Sequence, residues 1–249
     1  MTYSILARDP ATGAIGIAVA SRFFACGSLV PHIGRGVAVA TQAFINPIWG
    51  VEGLPRLQAG EAGGSVMADF TRRDVGQAQR QAHMMDALGH SAVFTGAECI
   101  DWAGHITGQG FSVAGNMLAG PEVVQDTART WQSRIDLHFV DRLLAAMQAG
   151  EDAGGDKRGR QAAGLRIHTG QDYPWLDLRV DDHADPLSEL RRLWAVAQER
   201  YIHVAEIMPT AECFSGAPDR RDIDAKILAA EAARKVDGRA SASHATTKG

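Results

Sequence analysis

Apolar and polar positions alternate with turn signals from the start of the chain. Residues 2–8 (TYSILAR) predict a strand, and residues 14–20 (AIGIAVA) predict a second one that is small and almost wholly apolar. A run without polar alternation suits a central strand buried on both faces. Between them lies Asp9-Pro10-Ala11-Thr12-Gly13, in which proline presets φ and glycine supplies conformational freedom. The two runs therefore read as a hairpin. Residues 36–42 (GVAVATQ) predict a third strand, and residues 52–60 and 65–73 predict short helices.

A second hairpin is expected where residues 81–85 and 91–95 flank Asp86-Ala87-Leu88-Gly89. Residues 110–115 (GFSVAG) predict another strand, which leads through Asn116-Met117-Leu118 into a helix from Pro121, a residue suited to a first helical turn. Residues 136–149 give the clearest helical period, with Leu137, Val140, Leu144 and Met147 on one face and Gly150 as the expected stop. The charged, glycine-rich stretch 150–161 then precedes strands at 162–168 and 177–180. Residues 187–208 predict one long amphipathic helix with Leu190, Leu193, Trp194 and Ala197 on its apolar side. Beyond Phe214 the chain is alanine-rich and charged, and from about residue 239 it has little to bury, so a tail without order is expected. The domain reading is residues 1–214 as one domain and 215–249 as a helical extension with its tail. Consecutive hairpins argue for antiparallel pairing, and the fold class expected is α+β, with two mainly antiparallel sheets between helical layers.

Composition narrows the class. The chain has 249 residues, 45% of them hydrophobic, which suits one sizeable domain. A net charge of -4 gives no bulk attraction to nucleic acid or anionic membrane, so neither is an expected partner. No apolar run approaches the roughly 18 residues that span a bilayer, and no basic-then-apolar start suggests a secretory signal. The three cysteines, Cys26, Cys99 and Cys213, lie far apart, so neither a zinc ribbon nor a disulfide framework is indicated. The expected setting is the reducing cytoplasm, with a small molecule as partner, a homo-oligomer left open, and no cofactor and no metal.

Candidate chemistry starts at Thr2. Methionine aminopeptidases remove Met1 before a small second residue such as threonine, leaving a hydroxyl and a free α-amine on one residue. The amine, with an ordinary pKa of about 7.7–8.0, is a base for a hydroxyl that is otherwise a weak nucleophile. A Met-Thr start also occurs with no catalytic meaning. Asn116, between a strand and a helix, reads as an oxyanion donor or as a turn residue. Asp156, Arg158 and Arg160 sit in a glycine-rich turn, where they read equally as a substrate clamp or as surface ion pairs; no phosphate-loop pattern is present. Asp181-Asp182-His183-Ala184-Asp185 reads first as a lead into a helix near Pro186, with Asp182 or His183 able to reach a pocket singly. Ser21-Arg22 and Thr41-Gln42 close strands whose ends would surround Thr2 if those strands pair with the first. Cys26 reads as a packed thiol.

The segments TYSILARDPATGAIGIAVAS, GVAVATQAFINPIWG, IDWAGHITGQGFSVAGNMLAG, GGDKRGRQAA and DLRVDDHADPLSELRRL together resemble a bacterial family, the domain of unknown function 1028. The resemblance covers roughly residues 2–200. It implies an N-terminal-nucleophile-hydrolase-like fold, two sheets between helical layers, shared by amidohydrolases and proteasome catalytic subunits. Thr2 matches the nucleophile's position. The chain departs from proteasome-like members in carrying Ser21-Arg22 where an Asp follows the second strand, and in having no lysine before Lys157. Arg22, Arg35 or Arg160 would then carry the electrostatic role. The activity implied is hydrolysis of a small amide or ureido compound, with Thr2 as nucleophile, Asn116 on the oxyanion and Asp156 on the substrate, and with Ser21, Arg22, Gln42, Arg158, Arg160, Asp182 and His183 around it. The alternative is a non-catalytic small-molecule-binding module.

Overall fold

The computed structural model describes residues 2–246, so Met1 and the last three residues of the expected tail lie outside the described residues. The strands are β1 (Thr2–Arg8), β2 (Ile15–Ser21), β3 (Pro31–Gly34), β4 (Val37–Ala43), β5 (Arg80–Met85), β6 (Ser91–Thr95), β7 (Gly104–Gly108), β8 (Phe111–Asn116), β9 (Ala162–His168) and β10 (Leu176–Val180). The helices are α1 (Cys26–Leu29), α2 (Pro47–Gln58), α3 (Gly63–Arg73), α4 (Glu122–Ser133), α5 (Phe139–Asp152), α6 (Pro186–Glu199), α7 (Tyr201–Ala205) and α8 (Arg221–Val236). The fold is mixed α+β with two antiparallel sheets. One is six-stranded in the order β10-β9-β2-β1-β8-β7, and the other is four-stranded in the order β3-β4-β5-β6.

The period-2 geometry of each strand divides its side chains between layers. On β4, Val37 and Val39 turn toward Trp49, Leu57, Val66 and Phe70 of α2 and α3, while Ala38 and Ala40 meet Leu6, Ile17 and Val19 of the other sheet. On β1, Thr2, Ser4 and Leu6 lie between the sheets. Tyr3 faces outward, where its hydroxyl donates to the Met147 carbonyl of α5 at 2.8 Å. The small residues of β2 permit close packing: a Cβ on Gly16 would lie 3.0–3.2 Å from Leu143, Phe139 and Ile167. Gly164 of β9 sits against α1, where an added Cβ would come within 2.6 Å of the Gly27 Cα.

Several elements differ from the sequence reading for identifiable reasons. Helix α2 starts at Pro47 rather than at 52, because Asn46 caps it, its side chain accepting from Ile48 N at 3.1 Å. Gly150 does not stop α5 but lies inside it. There its missing Cβ lets α5 approach Thr127 and Tyr3, since a Cβ would meet them at 2.3 and 2.8 Å. Leu137 precedes that helix. The long helix expected over 187–208 is interrupted at Arg200 (φ -146°, ψ -43°) into α6 and α7.

The chain divides into two compact units, Met1–Leu187 and Ser188–Gly249, whereas the sequence pattern placed its boundary after 214. The second unit holds most of α6, with α7 and α8. Within it Ile223 and Ile227 are buried, and Arg234 pairs with Glu199 at 3.4 Å. Among the described residues no helix is long and apolar enough to cross a membrane.

Candidate functional site

The start of β1 lies in the middle of the larger sheet, with β2 on one side and β8 on the other. Thr2 pairs in register with Asn116, and its Oγ1 donates to Ser21 Oγ at 3.1 Å. Thr2 is only 4% exposed. Its remaining surface opens on a cleft of ≈ 310 Å³ lined by Phe23, Cys26, Leu29, Ala43, Phe44, Ile45 and Pro47. A second cleft of ≈ 220 Å³ shares the Ala43–Phe44 wall and is lined by Asn116, Met117, Gln79, Glu98, Cys99 and Ile100. That wall comes from the smaller sheet. Phe44 is held there by Arg80, whose guanidinium lies 4.9 Å from its ring centre and donates to its carbonyl.

The rim is strained. Among the described residues three non-glycine residues adopt the left-handed region: Ala25 (φ 55°), Ala43 (φ 66°) and Met117 (φ 58°). A left-handed side-chain-bearing residue costs about 1–2 kcal/mol, and such residues concentrate at functional sites. Ala43 and Met117 line the clefts, and Ala25 precedes the cleft residue Cys26. Burial pushes the Cys26 thiol up to about 12, so it is a packed, protonated thiol.

Asp156 joins the strand ends on either side of Thr2. It is 6% exposed, and its Oδ2 accepts from Arg22 N and its Oδ1 from Arg158 N, both at 2.8 Å. Arg158 Nη2 donates to Asp156 Oδ2 at 3.3 Å and to the Arg22 carbonyl at 3.1 Å. Asp156 also bridges Leu118, just past β8. A carboxylate held by this many donors acts as a brace between the strand ends.

Between the sheets runs a buried polar chain whose polarity is fixed by backbone carbonyls. Gln81 Nε2 donates to the carbonyls of Gly115 (2.8 Å) and Gly104 (3.1 Å) and to Thr95 Oγ1 (2.9 Å). A carbonyl can only accept, so this end of the amide is NH2 and the other end is Oε1. That oxygen accepts from Gln42 Nε2 at 2.9 Å and from Asn116 Nδ2 at 3.0 Å. Gln42 Nε2 also reaches the Ala114 carbonyl at 3.1 Å, so its Oε1 faces Ser4 and accepts a hydrogen bond from the Ser4 hydroxyl at 2.7 Å. Ser4 has then spent its only hydrogen. His83 Nε2, 2.9 Å away, must donate to Ser4, and His83 Nδ1 accepts from Ser112 Oγ at 2.8 Å. Burial, reinforced by His105, lowers the His83 pKa to about 3, so the ring is neutral.

The residues singled out from sequence therefore divide. Thr2, Ser21, Asn116 and the Arg22 backbone meet at one place, with Asp156 and Arg158 bracing them from behind. Gln42 is fully enclosed in the inter-sheet chain rather than on a cleft wall. Arg160 pairs with Glu151 at 2.6 Å and lies 3.7 Å from Asp185. Asp182 is exposed and accepts from Gln161 Nε2 at 3.1 Å; His183 is exposed, and its Nδ1 accepts from Asp185 N at 3.0 Å. No Arg35 contact reaches the site, since its partner is Asp172 at 3.8 Å. Among the described residues no cluster has the makings of a metal site. Sequence reading missed Gln81 and Phe44, whose signal, a polar or exposed aromatic residue at a strand end, is too common to single out.

Comparison with known proteins agrees with the sequence resemblance at the level of the family. A family model described as a family of unknown function, DUF1028, matches residues 2–190. The crystal structure of protein SPO2555 from Silicibacter pomeroyi, which carries the same family assignment, superposes with a TM-score of 0.80. It is 34% identical over 88% of this chain and 96% of that one. No curated protein matches the chain. With most of its length matched by the family model, and a structural relative to the same effect, the chain belongs to the family of unknown function DUF1028.

Proposed function

We propose that the chain is an N-terminal-nucleophile amidohydrolase for a small amide or ureido compound, its two sheets and covering helices forming that superfamily's four-layer sandwich. The observation that carries this reading is Thr2, buried at the start of a central strand and opening on a ≈ 310 Å³ cleft between Ser21 and Asn116. Removal of Met1 would free the α-amine. It takes the Oγ1 proton as Oγ1 bonds to the substrate carbonyl carbon, then passes that proton to the departing nitrogen as the C–N bond breaks. Water next attacks the acyl ester, releasing the acid and restoring Thr2. Asn116 Nδ2 is engaged by the Thr2 carbonyl and Gln81 Oε1, so the oxyanion role expected of it passes to backbone N–H groups at the cleft, for which Phe23 and Ile45, lining residues whose N–H groups have no acceptor among the described residues, are the candidates. Asp156 serves by holding the ends of β2 and β8 in place.

Intact mass and N-terminal sequencing, followed by turnover of a panel of amides, lactams and ureides, test the reading. Thr2→Ala should fold, by circular dichroism, and show no turnover; full activity in that variant, or Met1 retained on active protein, sinks it. One observation favours a second reading, a binding module without turnover: no lysine or arginine is among the residues lining the Thr2 cleft. Saturable binding without hydrolysis, in protein with a free Thr2, would select it.

A further inference from the structure

The amide chain fixes more than its own orientation. Asn116 has two amide hydrogens. One goes to Gln81 Oε1 at 3.0 Å, and the other lies toward the Thr2 carbonyl at 3.4 Å. Both acceptors are incapable of donating in this arrangement: the Thr2 carbonyl by nature, and Gln81 Oε1 because the other end of its amide faces two backbone carbonyls. The Asn116 amide cannot be reversed without setting oxygen against oxygen at both contacts. Its nitrogen therefore points into the protein, and Oδ1 is the atom left for the cleft that Asn116 lines. Among the described residues Oδ1 has no partner, and it is not among the sealed-off polar atoms that lack one.

We propose that Gln81 is a positioning residue that makes Asn116 an acceptor, and that the site selects carbonyl compounds bearing an N–H over esters and fully substituted amides. The proposal deepens the amidohydrolase reading and rests on it for the identity of the site, but not for the chemistry at Thr2. Asn116 is the register partner of Thr2, and such paired residues have Cβ atoms about 4.5–5.5 Å apart. A carbonyl held at Thr2 Oγ1 thus has its nitrogen within reach of an acceptor on the neighbouring strand. A secondary amide or a ureide presents a hydrogen there. An ester or a dialkyl amide presents none and leaves Oδ1 desolvated and unpaired, which is how a site built around a polar contact rejects an analogue. Gln81 enforces this from behind, touching neither cleft.

The experiment uses the full chain, with N-methylacetamide and N,N-dimethylacetamide as probes differing in a single N–H. The Asn116 carboxamide is followed by 13C and 15N NMR and assigned by its loss in Asn116→Leu. N-methylacetamide should shift the Asn116 Cγ resonance saturably and bind about three- to tenfold more tightly than its dimethyl analogue, the ratio expected for one neutral hydrogen bond. In Gln81→Met the ratio should fall to about one as the amide loses the acceptor that holds it. Should Gln81→Met not fold, Asn116→Leu keeps the other Gln81 bonds and should show the same collapse. Equal affinities in the wild type, no Asn116 shift with either probe, or an unchanged ratio in both variants would overturn the proposal. Repeating the titration in Thr2→Ala separates the two claims. Selectivity that persists there without turnover belongs to Asn116 alone, and a wild-type protein that hydrolyses amides without N–H selectivity refutes Asn116's role and leaves the nucleophile standing.

Discussion

Acidification should weaken this fold through one buried ring, and the size of the effect can be worked out. His83 is fully buried between the sheets, donating to Ser4 and accepting from Ser112. Its pKa is lowered from 6.5 to about 3, chiefly by desolvation. The unfolded chain therefore takes up a proton as pH drops below 6.5, while the folded chain does not until near 3. Stability contributed by the neutral ring is whole above the unfolded value, and it is lost at about 1.4 kcal/mol per pH unit as pH falls through that window. From pH 6 to pH 4 the loss from this group alone approaches roughly 2–3 kcal/mol, a sizeable part of the 5–15 kcal/mol typical of a domain. His32, His105 and His168 are also lowered, each first by burial, and act in the same direction. The assay must therefore be a difference. Urea unfolding of the wild type and of His83→Gln, followed by circular dichroism at half-unit steps of pH, gives two slopes. The wild-type slope should exceed that of the variant by close to one proton's worth, whatever the variant does to absolute stability. Equal slopes would refute both the neutral assignment and the tautomer derived from the amide chain.

Two further outcomes follow from the packing around the site. Asp156→Ala should lower stability by about 1–3 kcal/mol, because the backbone N–H groups of Arg22 and Arg158 lose their acceptor; urea midpoints check the size, and a change below about 0.5 kcal/mol would remove its bracing role. Gly164→Ala should cost about 1–3 kcal/mol by forcing a Cβ to within 2.6 Å of the Gly27 Cα, a backbone atom rather than the end of a flexible side chain; thermal unfolding reads it, and an unchanged midpoint would show that α1 shifts freely.

Long-period patterns were legible in the sequence, and contacts set by distant neighbours were not. The hairpin of β1 and β2 follows from apolar runs about a Pro/Gly turn, and the β5–β6 hairpin from the same logic around Asp86, whose Oδ1 accepts from the Leu88 and His90 N–H groups. Strands β3 and β7 escaped notice because each is very short and holds a glycine, and β7 alternates half-exposed residues with no apolar run. The helix expected over 52–60 began five residues late, its first turn missed although Asn46 and Pro47 announce it. At the site, Thr2, Ser21 and Asn116 could be placed together because strand ends meet when strands pair. The amide chain could not. Gln42 and Gln81 are distant in sequence, and only their facing positions on β4 and β5 give them a common role.

The two clefts have a wall from each sheet: Thr2 and Asn116 stand on the larger, Ala43 and Phe44 at the end of a strand of the smaller. Neither sheet alone encloses anything. While the chain is being synthesised, Thr2 emerges more than a hundred residues before its β8 partner Asn116. Such long-range pairing is slow, and it completes only as the sheets dock. A nascent chain carrying Thr2 thus has a hydroxyl with no cleft around it, and both clefts arrive with the docking of the sheets rather than with any local element. Partial separation of the two sheets, well short of global unfolding, would dismantle the clefts while leaving each hairpin intact.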